Sequence, residues 1–112
     1  MNSELQAITD RAFDHVVEAS SVPVLVEFWK PGCGHCRVLM KELEQLQAEL
    51  GERVQILTMN VEEQFQIPAE LEISSLPALA LYKNGEFATF IGGLGKKEAI
   101  RTQIESALSG SF

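Results

Sequence analysis

The sequence predicts an α/β layer fold, a mixed sheet with helices on both faces. Two β-rich runs, "VPVLVEFW" and "RVQILTMNV", flank a helical stripe. That strand–helix–strand order implies a parallel pair joined by a right-handed crossover. A later pair of apolar runs is joined by Lys83-Asn84-Gly85. Asn-Gly supplies the positive φ angles of a type I′ turn, so these runs form an antiparallel hairpin. Helical patterns near both ends complete the layers.

The elements follow in order. Thr9 and Asp10 can cap a helix, and Phe13, Val16 and Val17 follow at helical spacing, which gives a helix over 10–19. Ser20-Ser21 ends it. The run 22–29 is apolar except at Glu27, as a strand buried on both faces requires. Pro31-Gly32 makes a turn. Over 33–50, Leu39, Leu43, Leu46 and Leu50 fall on one stripe, with Glu42, Glu44, Gln47 and Glu49 elsewhere. Gly51 stops this helix. A strand is expected over 53–61, then loops and one short helix around Pro68. Strands are expected over 76–82 and 86–92. Ile100, Ile104 and Leu108 share a face of a last helix over 96–108, and residues 109–112 read as a frayed tail.

A chain of 112 residues, 46 % hydrophobic, has material for one core. Without a repeat or linker, residues 1–112 read as a single domain and a monomer. The formal charge of -7 argues against nucleic acid and anionic membranes, which need clustered Lys and Arg. Lys96-Lys97 is too small for such a footprint. The N-terminus "MNSELQAITDRAF" has acids and no apolar run, so neither a signal nor a transit peptide is expected, and a cytoplasmic location is. No apolar stretch approaches the length of a membrane span.

The chemistry concentrates in "EFWKPGCGHCRVL", which holds both cysteines of the chain. Cys33 and Cys36 are one helical turn apart if they start a helix, close enough to form a small disulfide ring. Cys33 would sit at the helix N-terminus, where free N–H groups and the helix dipole favour a thiolate, so it is the candidate nucleophile. Cys36, one turn inward, would resolve a mixed disulfide. A protonated His35 between them would favour the Cys33 thiolate over the disulfide. Gly32 and Gly34 keep the backbone open to a substrate. Two other readings of the pair stand beside this one. The cysteines could be structural thiols, although a Pro-Gly turn is an odd place to bury them. They could also hold a metal or cluster shared across a dimer. One chain offers only His15 and His35 as further ligands of that kind, so no metal is expected within it.

Taken together, these segments resemble the thioredoxin family over about residues 8–108. "ITDRAFDHVV" resembles its opening helix, and "VLVEFWKPGCGHCRVL" its central strand and active-site turn. "LEISSLPALALYKNGE" resembles its cis-proline segment and hairpin, and "FIGGL" the glycine edge of its substrate groove. The resemblance implies a thioredoxin fold and dithiol–disulfide exchange, with Cys33 as nucleophile and Cys36 as resolving cysteine. It implies a cis Leu76–Pro77 bond that leaves the Leu76 backbone free to pair with an extended substrate. Gly92 matches the groove glycine, and Trp29 a tryptophan near the site. Glu27 stands where the family keeps a buried acid that exchanges a proton with the resolving cysteine. No cofactor is implied beyond the cysteine pair. The implied partners are disulfide-containing proteins and an electron donor resembling thioredoxin reductase, flavin-dependent and fed by NADPH. A docking module on the same fold, with little turnover, is the alternative.

Four positions depart from the family. Gly32 replaces a Trp and His35 a Pro, and Cys-Gly-His-Cys with Glu27 resembles protein disulfide isomerase domains, which also keep an aromatic where Gly32 stands. Those two families differ by roughly 90 mV, about 4 kcal/mol for two electrons, so His35 should move this pair toward the oxidising end. Lys41 replaces a helix-kinking Pro, which predicts a straighter helix. Thr58 replaces a Lys beside the buried acid, which should make Glu27 harder to ionise.

Overall fold

The structure, a computed structural model, describes residues 5–92 and 95–109. Its sheet has five strands: β1 (Gln6–Ala7), β2 (Val24–Trp29), β3 (Gln55–Asn60), β4 (Ala78–Lys83) and β5 (Glu86–Phe90). Four helices accompany them: α1 (Asp10–Ala19), α2 (Gly34–Leu50), α3 (Gln66–Glu70) and α4 (Lys97–Ser109). The strand order is β1-β3-β2-β4-β5. β3 runs parallel to β1 and β2, while β4 is antiparallel to β2 and β5. The expected parallel crossover and terminal hairpin are both present.

Alternation along β2 divides the core. Val24, Val26 and Phe28 pack with Phe13 and Val17 of α1 and Ile67 of α3. Leu25 and Trp29 face the other way, onto Leu39, Leu43 and Leu46 of α2 and Ile100 and Ile104 of α4. Burying each large apolar side chain contributes about 1.5–3 kcal/mol. The leucine stripe of α2 is therefore what holds the active-site helix to the sheet.

Several boundaries differ from the sequence reading. β1 was not expected; two residues carry no periodicity, and they form a strand only through their register with Leu57 and Thr58. Arg53 belongs to a 3₁₀ turn, Gly51–Arg53, so β3 starts at Gln55. β4 starts at Ala78, after the cis Leu76–Pro77 bond. β2 starts at Val24, and β5 ends at Phe90. Ser109 is helical, and the rest of the expected frayed tail lies outside the described residues. Gly93 and Leu94 of "FIGGL" lie outside them as well. The hairpin is as expected, with Asn84 at φ 56° and Gly85 at φ 81°. α2 continues without a break past Lys41.

One side chain ties distant segments together. The carboxylate of Asp10 accepts hydrogen bonds from the N–H groups of Phe65, Gln66 and Ile67, at 2.7, 2.9 and 2.9 Å. Asp10 N–H donates in return to Gln64 Oε1 at 2.7 Å. Phe65, where α3 begins, offers no side-chain cap of its own. Asp10→Ala is expected to cost about 2 kcal/mol, seen as a lower urea midpoint at unchanged slope. An unchanged midpoint would show that water replaces this cap without loss.

Candidate active site

Trp29 ends β2, and the turn Lys30–Gly32 hands the chain to α2. Gly32 adopts φ +86°, a left-handed conformation that a side chain would strain, and apart from its two chain neighbours no atom of the described residues stands within 4 Å of where a Cβ would be. Cys33 is the N-cap of α2, and its Sγ accepts the Cys36 N–H at 3.1 Å. The two cysteines form a disulfide with Cα atoms 5.3 Å apart. Cys33 is half-buried, whereas Cys36 is 1 % exposed. An incoming sulfur can therefore meet Cys33 first. The N–H that faces its sulfur, with the positive end of α2, supports negative charge there after reduction.

Glu27 is fully buried, and neither carboxylate oxygen has a hydrogen-bond partner among the described residues. By alternation it shares the sheet face of Leu25 and Trp29, the face covered by α2. Its register neighbours are Thr58 on β3 and Leu79 on β4, neither of them a cation. Burial, with a smaller contribution from the charge of Glu44, pushes the Glu27 carboxyl up to about 8.

The other sequence-predicted residues surround Cys33. A groove of about 470 Å³ lies against Cys33, Gly34, His35 and Leu76, with Val61, Pro68 and Ile73 in its wall. A second, of about 350 Å³, runs past Ser74, Ser75 and Pro77 to Gly92. His35 and Pro77 also line a third, and Trp29, Gly32 and Cys33 a fourth. Shared residues join the four, and the first and fourth touch Cys33. The backbone N–H and C=O of Leu76 have no partner among the described residues. Gly92 is held by Gln103, which accepts its N–H at 3.1 Å and donates to its carbonyl.

The sequence reading missed Val61, Ile73 and Ser74 in the walls, because loops remote in sequence supply them. It also missed Lys30 and Arg37 beside Cys33. The signal for those two was present: 28–41 contains no Asp or Glu.

A half-exposed cysteine at a helix N-terminus, bonded to a buried one a turn inward, is a dithiol–disulfide exchange centre. Comparison with known proteins narrows that class. The family model described as thioredoxin matches residues 4–106. The chain is 39 % identical to a thioredoxin of Haemophilus influenzae, over 86 % of this chain and 91 % of that protein. It is 35 % identical to a thioredoxin of Rickettsia prowazekii, over 90 % and 96 %. With the chloroplastic M-type thioredoxin of Chlamydomonas reinhardtii it shares 33 %, over 91 % and 74 %. The chain belongs to the thioredoxin family. Its activity is thiol–disulfide exchange through its own cysteine pair, and the docking-module alternative is not favoured. No described helix is long and apolar enough to cross a membrane.

Proposed function

We propose that the protein reduces disulfides of other proteins, with Cys33 attacking, Cys36 resolving and Glu27 relaying the proton. The observation that carries this reading is the unequal exposure of the two cysteines at the head of α2. The reduced Cys33 thiolate attacks one substrate sulfur, and the other sulfur leaves as a thiolate and takes a proton. Cys36 gives its proton to Glu27 in its ionised form, which burial keeps the minor form at neutral pH, and attacks Cys33 Sγ, which frees the second substrate thiol. Two electrons pass to the substrate, and the protein is left with the Cys33–Cys36 disulfide. The free Leu76 backbone would pair with the substrate strand, and Pro77, Gly92, Trp29, Gly32 and Gly34 shape the grooves it crosses. A reductase of the kind the family uses would return the electrons, and the protein would work as a cytoplasmic monomer. The test is insulin reduction under dithiothreitol, where wild type should accelerate precipitation and Cys33→Ser should not. Equal rates would refute the reading.

His35 sets the poise in this reading. It lines the groove against Cys33 and the adjoining one at Pro77, and is exposed. His35→Pro removes a side chain that favours the thiolate when protonated. Its reduction potential, measured by titration against glutathione, is expected to be more negative than that of wild type. No change, or a shift the other way, would show that His35 does not tune the pair.

A further inference from the structure

Resting on the exchange reading above, we propose that the site prefers disulfides carrying carboxylates near the sulfurs, received by Lys30 and Arg37. Both residues line the cavity of about 200 Å³ that also touches Gly32 and Cys33. Its remaining wall includes Trp29 and Met40, so an apolar floor carries a cationic rim. Gly32 leaves the entrance uncovered, since beyond its two chain neighbours no atom of the described residues stands within 4 Å of its missing side chain.

The charge pattern singles out this rim. The chain has 16 acids and 9 Lys and Arg, yet 28–41 holds Lys30, Arg37 and Lys41 and no acid. Among the described residues, no Asp or Glu lines this cavity or the adjoining 470 Å³ groove. Neither Lys30 nor Arg37 forms an ion pair among the described residues, unlike Lys97 and Arg101, which meet Glu49. Arg37 follows Cys33 by one turn, its N–H donating to the Cys33 carbonyl at 3.3 Å. Lys41 is exposed one turn further along α2. Salt screens distant surface charges beyond about 10 Å, so near Cys33 these cations outweigh the acidic remainder of the chain. A carboxylate two or three bonds from an attacked sulfur enters the cavity while that sulfur meets Cys33. An ammonium at the same place meets like charge.

Three small disulfides of matched length test this: 3,3′-dithiodipropionate (dianion), cystamine (dication) and uncharged 2-hydroxyethyl disulfide. Reduced protein, freed of reductant, donates two electrons; one substrate S–S bond breaks, two thiols leave and Cys33–Cys36 forms. Each rate is divided by that of the same compound with dithiothreitol at the same pH and salt, so differences in leaving-thiol reactivity cancel. Wild type is expected to prefer the dianion over the dication by about tenfold at about 0.1 M salt, where the distant acids are screened, from two exposed pairs acting together. The preference should fall toward one at 1 M salt. Lys30→Glu with Arg37→Glu should reverse it, and Arg37→Gln alone should reduce it. Equal normalised rates in wild type, or a preference unmoved by salt and by charge reversal, would overturn the proposal. Reduction of none of the three compounds would overturn the exchange reading itself, and this proposal with it.

Discussion

Cys33→Ser is expected to lower the rate of insulin reduction about 10³-fold or more, to the background of dithiothreitol alone. Removing a nucleophile leaves no covalent step for the rest of the site to assist. Cys36 cannot replace it. Its side chain is 1 % exposed beneath the first turn of α2, whereas Cys33 faces two grooves. Cys33 also occupies the N-cap, where backbone N–H groups and the dipole hold a thiolate; Cys36 lies one turn inside the helix. Precipitation kinetics of wild type and variant at equal concentration check this, and a variant that keeps a tenth of the wild-type rate would contradict it.

Replacing Glu27 by leucine should raise stability and lower activity. The buried carboxyl is held up at about 8, against an ordinary 4.5. Between those values the folded protein keeps a proton on Glu27 that the unfolded chain releases. The unfolded state then binds fewer protons, so stability falls as pH rises. The contribution is fully present below about pH 4.5 and is lost through about pH 8, at about 1.4 kcal/mol per pH unit. The total is a few kcal/mol. Glu27→Leu removes this slope, and the oxidised variant should exceed wild type by a few kcal/mol at pH 8.5, with little difference near pH 5. Urea unfolding at the two pH values measures it, and a difference that does not change with pH would contradict it. With the proposed proton relay gone, turnover near neutral pH should fall about 10²-fold. An orphaned carboxylate in the core costs stability, and its retention makes sense if the site uses its proton.

Local chemistry was legible in the sequence, and long-range geometry was not. The leucine stripe gave α2, since Leu39, Leu43, Leu46 and Leu50 are all buried. Asn84-Gly85 gave the hairpin because two positive φ angles are a local demand. Thr9 and Asp10 marked the start of α1, and Thr9 does cap it, accepting the Ala12 N–H at 3.2 Å. The carboxylate of Asp10 works elsewhere, on N–H groups more than fifty residues away, which no spacing rule reaches. β1 escaped notice because its two residues depend on β3 for their strand partner among the described residues. Glu27 was singled out on its apolar neighbours and family position, but its burial beside Thr58 and Leu79 needed the strand order. Likewise the cysteine pair was plain, while the grooves around it came from loops that meet only in the folded chain.

In the proposed mechanism Cys33 meets the substrate and Cys36 releases it. Each single-cysteine variant, reduced and mixed with insulin, can be read by intact mass under non-reducing conditions. Cys36→Ser should accumulate an insulin chain disulfide-linked to Cys33, and Cys33→Ser should remain unmodified. Equal adducts on both variants, or an adduct only on Cys36, would contradict it.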